Sequence, residues 1–275
     1  MATTSDNTVE KVSCKCRLCG AQSQYVFKGP LLDLEIAYYK CQTCDYLQTE
    51  TPTWLGIAYE HPINSSDTGI MERNLRNTDV TIAVLSVFAG GEKQAVDFAG
   101  GWGVLVRLLR DRGVDARWMD KYSDNLFARG FEYDSKQSRE HLALTAFEVF
   151  EHLENPLEEI RQMVKISSFV LFSTQLRAEN SIPPQSWWYL GAEHGQHIGF
   201  FSLRTLEWLA RELGMHVVSD GRSYHALTER PINRIFWKPV LWLSKPIAWL
   251  VTLRHESLIL EDHQRHSQVS HSRKE

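Results

Sequence analysis

Short apolar runs alternate along the middle of the chain with amphipathic stretches. The runs predict buried strands at residues 94–98, 116–119, 143–150, 169–173 and 216–218. Apolar residues three or four positions apart predict a helix from about residue 71 that ends at Gly90-Gly91, and further helices at residues 104–112, 156–165 and 202–213. Strands separated by helices at this spacing indicate an α/β fold with a parallel sheet.

Shifts in composition divide the chain into successive segments. We predict a flexible leader (1–13), a β-rich zinc-binding module (14–50), a connector and helix (51–92), the α/β domain (93–225), a helical extension (226–265) and a disordered tail (266–275). The connector is rich in turn formers and aromatic residues. Its Tyr59, His61 and Asn64 are candidates to close over a substrate.

Composition and charge exclude several classes of protein. With 43% hydrophobic and 23% charged residues, the chain has the composition of a folded globular protein. The formal net charge is −4, which gives no electrostatic sign of an extended nucleic-acid surface. The N-terminus lacks the features of a secretory signal, so we expect a cytoplasmic protein. Residues 239–253 are apolar but too few to span a bilayer, which takes roughly 20 residues.

A glycine-rich turn lies between the strand predicted at 94–98 and the helix that begins at Val104. Glycines there let a ligand approach the backbone, and the helix N-terminus supplies free N–H groups. Asp120 follows the next strand, 17 residues after Gly103, where a carboxylate can bind both ribose hydroxyls. These features predict a nucleoside pocket, and the alternative is a tight turn without a ligand. Val106 replaces the third glycine of a nicotinamide-binding fingerprint.

The same turn resembles motif I of the class I S-adenosylmethionine-dependent methyltransferases, an acid followed by G-x-G-x-G. Asp97, Gly101 and Gly103 match this motif, and Ala99 stands in place of its first glycine. The resemblance implies a Rossmann-like domain in which these four residues hold the methionine end and sulfonium of the cofactor. It also implies that Asp120 binds the ribose.

Two further motifs extend the resemblance over residues 94–220. Residues 145–156 are similar to the fourth-strand run E-x-x-E-H-x-x-x-P of a large methyltransferase group, which implies that Phe147 and Glu148 lie beside the cofactor. The segment 193–213 also resembles that group. The chain departs from many members at the start of the fourth strand, where His141 and Leu142 replace an acid.

All five cysteines of the chain lie in its first 44 residues. Cys16 and Cys19 form one C-x-x-C pair, and Cys41 and Cys44 form a second pair, with 21 residues between the two pairs. Four thiolates suit tetrahedral zinc and leave no open position for a substrate, so we predict a structural Zn²⁺ site. Cys14 could replace Cys16, although the paired spacing favours Cys16. The alternative is free thiols or a redox pair.

A cysteine-rich module joined to this core resembles the sugar C-methyltransferases that act on nucleotide-linked deoxysugars. In those enzymes a Glu-His pair and a histidine near the fourth strand take part in acid–base work. The resemblance implies these catalytic roles for His152, Glu193 and His194, with Glu151 as a further candidate. The alternative is that His152 only ends a strand and that residues 193–197 form a solvated loop.

The C-terminal segment combines Trp237, Trp242 and Trp249 with basic residues. This pattern favours a helix packed on the catalytic domain or a homodimer surface. The alternative is peripheral membrane contact through the aromatic and basic side chains.

Together, these patterns favour an S-adenosylmethionine-dependent methyltransferase whose substrate is a small molecule, with a nucleotide-linked sugar or other glycan precursor expected. Two alternatives remain. One is a binding or regulatory protein whose methyltransferase fold has lost turnover, which the departures at Ala99 and Leu142 would allow. The other is a nucleic-acid methyltransferase, which the charge balance and the lack of an Asn-Pro-Pro-Tyr-like motif disfavour.

Overall fold

Two β-sheets organise the residues that the computed structural model describes, which are 13–60, 63, 67–91, 93–135 and 143–272. The strands are β1 (Cys14–Lys15), β2 (Gln22–Leu31), β3 (Leu34–Cys41), β4 (Leu47–Thr49), β5 (Gln94–Phe98), β6 (Asp115–Met119), β7 (Ala143–Phe147), β8 (Phe169–Ser173), β9 (Gly199–Phe200), β10 (His216–Ser219) and β11 (Tyr224–Thr228). The helices are α1 (Leu55–Ala58), α2 (Ile70–Phe88), α3 (Val104–Asp111), α4 (Pro156–Ile166), α5 (Leu203–Glu212), α6 (Trp237–Trp242), α7 (Ser244–Thr252) and α8 (Ile259–Ser272). His61, Asn64, His141 and Leu142 lie outside the described residues.

The larger sheet confirms the predicted α/β fold. Its strand order is β10-β11-β8-β7-β5-β6, and the four strands from β8 to β6 run parallel. Helices α4 and α5 pack on one face through Ile160, Met163 and Leu209, and α2 packs on the other. Because both faces are covered, the central strands are continuous apolar runs and do not alternate with polar residues.

The sequence interpretation missed strand β11. This strand is inserted between β8 and β10 and is antiparallel to both, so the sheet is mixed. All five of its side chains are buried. Residues up to Thr228 therefore belong to the main sheet, beyond residue 226 where the sequence predicts the start of the helical extension.

The predicted strand at 143–150 was too long, because β7 ends at Phe147. The next residue, Glu148, has a positive φ of 54°, which cannot continue an extended strand. A turn of 3₁₀ helix over Phe150–His152 follows. His152 consequently lies in a turn beyond the strand, close to the carboxyl edge of the sheet.

The N-terminal sheet is antiparallel and has the order β1-β2-β3-β4-β9. Its last strand comes from the α/β domain, because Leu47 of β4 pairs with Phe200 of β9. A Cβ at Gly199 would lie only 1.7 Å from the Tyr46 hydroxyl, so only glycine fits where these two strands meet. The small sheet is thereby joined to the segment that precedes α5.

Helix α5 begins with a complete capping box. The Ser202 hydroxyl accepts a hydrogen bond from the Thr205 backbone, and the Thr205 hydroxyl accepts one from the Ser202 backbone. The sequence predicted only part of this arrangement, because threonine at the third helical position replaces the usual Glu or Gln.

The C-terminal segment packs on the α/β domain. Trp237 is fully buried beside Phe88 of α2, whereas Trp242 and Trp249 are exposed. Helix α8 is held by Asp262, which pairs with Arg107 and Arg110 of α3. Helix α8 continues to Ser272, beyond residue 266 where the sequence predicts the start of a disordered tail. Among the helices of the described ranges, none is long and apolar enough to cross a bilayer.

Candidate active site

A cavity of about 1530 Å³ opens at the carboxyl ends of the parallel strands. This is where open α/β sheets bind their ligands. Its walls come from the glycine-rich turn, the ends of β6 and β7, the start of α2 and the loop before β9. Typical pockets for small molecules measure roughly 300–1,000 Å³. The cavity is therefore large enough for a cofactor and a second substrate together.

The glycine-rich turn forms the floor of this cavity. Ala99, Gly101 and Gly103 all have positive φ angles, of 54°, 53° and 82°. A Cβ at Gly101 would have Ile63, another cavity residue, as its nearest neighbour at 3.6 Å, so glycine keeps this space open for a ligand. Gly103 is the N-cap of α3 and directs the free N–H groups of that helix to the turn. Ala99 adopts the left-handed conformation despite its Cβ, so its substitution for glycine does not disrupt the turn.

Asp120 closes the turn from the end of β6. Its Oδ2 accepts a hydrogen bond of 2.9 Å from the Gly101 backbone, and its Oδ1 accepts bonds from the backbones of Tyr122 and Ser123. Trp118 also ties the turn to β6, because its indole N–H donates to the Gly101 carbonyl at 2.8 Å. The carboxylate that the sequence placed near the ribose is thus rigidly oriented at the cavity wall.

Asp97 lies buried at the end of β5. Its Oδ1 accepts a hydrogen bond of 2.7 Å from the Thr145 hydroxyl of β7. Burial raises the pKa of the Asp97 carboxyl to about 7, and the charge of Asp120 adds to this increase. A positively charged ligand nearby would favour the ionised carboxylate.

Phe147 ends β7, Glu148 directly follows it, and both line the cavity. The Ser173 hydroxyl accepts a bond from the Glu148 backbone and donates one of 2.5 Å to its Oε1, which fixes the strained residue. Burial, with help from the charge of Glu151, raises the pKa of the Glu148 carboxyl to about 7. Glu148 therefore titrates near neutral pH inside the cavity.

Three histidines meet on the opposite side of the cavity. The rings of His152 and His194 lie 4.8 and 4.7 Å from the ring of His197, and all three line the cavity. Tyr59, a candidate from the connector, lies 3.0 Å from His152 Nδ1 through its hydroxyl and stacks on Tyr122. Loop 193–197 is thus part of the cavity wall, which goes against the alternative of a purely solvated loop.

Burial lowers the pKa values of these histidines. The pKa of His194 falls to about 4, and burial together with the neighbouring His197 and His194 lowers the pKa of His152 well below its usual value. The reference value of about 6.5 used in the sequence interpretation is therefore too high for this site. All three rings are neutral at pH 7, since burial also lowers the pKa of His197.

The predicted Glu193–His194 pair has a specific arrangement. Glu193 is exposed at the cavity wall, and His194 Nδ1 accepts a hydrogen bond of 3.1 Å from the Gln196 backbone. The proton of the neutral His194 ring therefore lies on Nε2, which makes this residue a hydrogen-bond donor.

The four predicted zinc ligands come together at the edge of the N-terminal sheet. The Sγ atoms of Cys16, Cys19, Cys41 and Cys44 all lie within 4.8 Å of one another. The two C-x-x-C turns have matching backbone hydrogen bonds. The Gly20 N–H donates to the Cys16 carbonyl, and the Asp45 N–H donates to the Cys41 carbonyl. Cys14 is not in this cluster, and its Sγ accepts a bond from Gln48. The geometry therefore favours Cys16 over Cys14.

The sequence interpretation missed a buried polar group beside the second cysteine turn. Asp45 follows Cys44 with a φ of 61° and accepts a bond of 2.6 Å from the Ser202 hydroxyl. It also pairs with Arg177 and Lys40 at 2.9 and 3.0 Å. In the sequence, Asp45 and Arg177 are far apart and have the residue types of ordinary surface charges. No local sequence pattern predicts that they are in contact.

Comparison with known proteins agrees with this architecture. The model of a family described as "Methyltransferase domain" matches residues 71–220, which is more than half of the chain. The chain belongs to this methyltransferase family. The match confirms the predicted class I S-adenosylmethionine-dependent methyltransferase fold. No curated protein matches the sequence.

Several solved methyltransferase structures are similar to this methyltransferase domain. CalO1, a methyltransferase in calicheamicin biosynthesis solved in an SAH-bound form, is 13% identical, with a TM-score of 0.40 over 58% of this chain and 55% of that one. Magnesium protoporphyrin IX methyltransferase from Synechocystis PCC 6803 is 14% identical, with a TM-score of 0.43 over 63% and 94% of the two chains. A SAM-dependent methyltransferase from Thermotoga maritima is 11% identical, with a TM-score of 0.44 over 64% and 99%. The chain thus spans about half the length of CalO1.

Proposed function

We propose that this protein transfers the methyl group of S-adenosylmethionine to a small molecule, with a nucleotide-linked sugar or other glycan precursor as the substrate class. The observation that carries the proposal is the bond from the Gly101 backbone to Asp120 at the mouth of a two-ligand cavity. It joins the glycine-lined turn to an oriented carboxylate, an arrangement that suits the ribose of a nucleoside.

The residues present fit this cofactor. Asp97, Ala99, Gly101 and Gly103 would hold its methionine end, and Asp120 would accept hydrogen bonds from the ribose. Phe147 and Glu148 would lie beside the adenosine and sulfonium, where the open wall at Gly101 leaves space. When bound, S-adenosylmethionine supplies an electrophilic methyl group, so the protein mainly has to orient the acceptor and move a proton.

His152, Glu193 and His194 would serve in acid–base catalysis. Glu193 and the neutral ring of His152 can accept a proton, and His194 Nε2 can donate a hydrogen bond to an acceptor hydroxyl. The aromatic side chains of Trp187, Trp188 and Tyr59 line the same region and suit the apolar face of a sugar ring.

The four-cysteine cluster would hold a structural Zn²⁺. Four soft sulfur donors within 4.8 Å match the tetrahedral preference of zinc and leave no position for a substrate. The cluster packs into the main core with Leu144 and Phe201. Zinc would therefore stabilise the joint between the two sheets and take no part in methyl transfer.

Calorimetric titration of the zinc-quantified protein with S-adenosylmethionine tests the proposal. We expect binding in the micromolar range, followed by methyl transfer in a screen of nucleotide-linked sugars. Folded, zinc-loaded protein that neither binds the cofactor nor turns over would favour the alternative of a methyltransferase fold without activity. Salt-sensitive binding of RNA or DNA would instead support a nucleic-acid substrate.

A further inference from the structure

The turn after β7 and the loop before β9 bring a carboxylate and two imidazoles together beside the cavity. One potential ligand atom each from Glu151, His152 and His197 lies within 4.8 Å of the other two. Glu151 Oε1 lies 3.9 Å from His152 Nε2. The three side chains belong to the turn after β7 and to the loop before β9, so the fold assembles the group from separate parts of the chain.

Glu151 is the unusual member of this group. Its side chain is fully buried, and neither carboxylate oxygen has a partner with normal hydrogen-bond geometry among the residues that the structure describes. The hydroxyls of Tyr189 and Thr174 lie near this carboxylate and favour its ionised form. Burying a carboxylate without a partner is costly, and such groups in proteins normally pair with a charge or coordinate a metal. A cation between Glu151 and the two imidazoles would satisfy both oxygens.

The second nitrogen of each ring is occupied in the way that metal-binding histidines show. His197 Nδ1 lies 2.7 Å from the Tyr189 carbonyl, which only accepts, so Nδ1 carries the proton and the lone pair is on Nε2. His152 Nδ1 lies 3.0 Å from the Tyr59 hydroxyl, and its Nε2 lies 3.9 Å from Glu151 Oε1. The His152 ring also has a hydrogen bond with the Gln196 backbone. Ligating histidines are commonly oriented by such an outer hydrogen bond.

Two histidines and one carboxylate form a ligand set that leaves coordination positions open. Sites of this composition hold zinc in hydrolytic enzymes and other first-row divalent metals elsewhere. His152 and His197 both line the cavity, whereas Glu151 lies behind them. The open positions would therefore face the substrate.

We propose that Glu151, His152 and His197 bind a divalent metal cation whose open positions receive oxygen atoms of the methyl acceptor. This inference rests on the proposed methyl transfer and narrows its acceptor to a hydroxyl-bearing molecule. A cation there orients the hydroxyl and increases its acidity. His152 then serves as a ligand, and Glu193 at the cavity wall is left to accept the proton.

Titration of the zinc-loaded protein with Co²⁺ tests this site, followed by calorimetry, visible absorption and metal analysis after gel filtration. We expect one Co²⁺ per chain in addition to one Zn²⁺, without the intense thiolate-to-cobalt bands that a four-cysteine site would give. Glu151→Gln and His197→Gln should each weaken Co²⁺ binding at least tenfold. Glu154→Gln, which removes an exposed carboxylate of the same cavity, should leave it unchanged.

Binding of S-adenosylmethionine to each variant separates this inference from the proposed function. Variants that keep cofactor affinity and lose Co²⁺ support the cation site and show that the fold is intact. Wild-type protein that binds the cofactor but no Co²⁺, or Co²⁺ affinity that survives both substitutions, overturns the cation site alone. Protein that binds neither overturns the methyltransferase proposal as well. If Glu151→Gln does not fold, the Co²⁺ affinity of His197→Gln tests the cation site instead, because the His197 ring lines the cavity.

Discussion

Arg177 and Asp45 form a buried ion pair at 2.9 Å that joins the second cysteine turn to the segment after β8. Both side chains are about 1% exposed. Burial disfavours the charge of Asp45, but the Ser202 hydroxyl and the positive charge of Arg177 outweigh this and lower its pKa. The pair therefore couples the N-terminal sheet to the α/β domain.

Breaking this pair should destabilise the whole protein. We expect Asp45→Asn to lower the free energy of unfolding by about 3–5 kcal/mol, because Arg177 is left buried without its countercharge. Urea unfolding of zinc-loaded protein measures the change. The double variant Asp45→Asn, Arg177→Met should recover part of the loss, and a double variant less stable than either single one would contradict this explanation.

Removal of a proposed zinc ligand should have a different signature from removal of Cys14. Cys41→Ser should abolish the binding of one zinc per chain and lower the melting temperature, because the two cysteine turns lose the metal that joins them. Cys14→Ser should keep one zinc per chain, since its Sγ lies outside the cluster. Metal analysis and thermal unfolding measure both effects. Loss of zinc in Cys14→Ser and its retention in Cys41→Ser would assign the ligands differently.

Asp120→Ala should weaken S-adenosylmethionine binding by about 10- to 100-fold. The substitution removes the acceptor of three backbone hydrogen bonds and the proposed ribose contact. A buried charge-assisted hydrogen bond contributes roughly 1.5–3 kcal/mol, which corresponds to this range. Asp124→Ala, an exposed acid four residues on, is the matched control and should bind normally. Equal affinities in the two variants, measured by calorimetry, would remove Asp120 from the site.

Cofactor binding should strengthen as pH rises from about 6 to 8. Burial raises the pKa values of Asp97 and Glu148 to about 7, so both carboxylates lose their protons across this interval. The positive sulfonium favours the ionised forms, and binding at pH 7 should therefore release protons. Calorimetry in buffers of different ionisation enthalpy measures this release. Glu148→Gln should release fewer protons than wild type, and an unchanged value would exclude Glu148.

The same two groups should make the cofactor-free protein less stable as pH rises. Their pKa values are higher in the folded state than in the unfolded chain, so the folded state binds more protons between about pH 4 and 7. The stability that they contribute is complete below the unfolded pKa values and is lost as pH rises through the folded ones. Urea unfolding at pH 6 and 8 should show a smaller decrease for Glu148→Gln than for wild type.

The exposed tryptophans of the C-terminal helices predict contact with another surface. Trp242 and Trp249 are 83% and 60% exposed, and Lys238 and Lys245 lie on the same helices. If that surface is a membrane, the protein should float with anionic vesicles, and Trp242→Ala with Trp249→Ala should abolish flotation. Trp237 is buried and therefore cannot serve the same purpose. Absence of flotation together with a concentration-dependent dimer mass would favour a homodimer surface.

The sequence alone determined the elements that depend on local pattern. The apolar run at 169–173 matched β8 residue for residue, and the helix predicted from about residue 71 to Gly90-Gly91 spans Ile70–Phe88. The glycine-rich turn and the paired cysteines could also be identified from the sequence, because their residue types and spacing have few other uses. Sequence position likewise placed Asp120 at the edge of the sheet, since it directly follows a strand.

Tertiary structure decided what depends on contacts between distant residues. The antiparallel insertion of β11 follows from which strand edge is free, and a short apolar run does not specify that. The lowered pKa of His194 arises from burial and from His197, so the reference value could not reveal it. Asp45 and Arg177 lie 132 positions apart, and only the folded chain brings their charges together out of water. The cluster of Glu151, His152 and His197 arises in the same way, because a loop between β8 and α5 folds back onto the turn after β7.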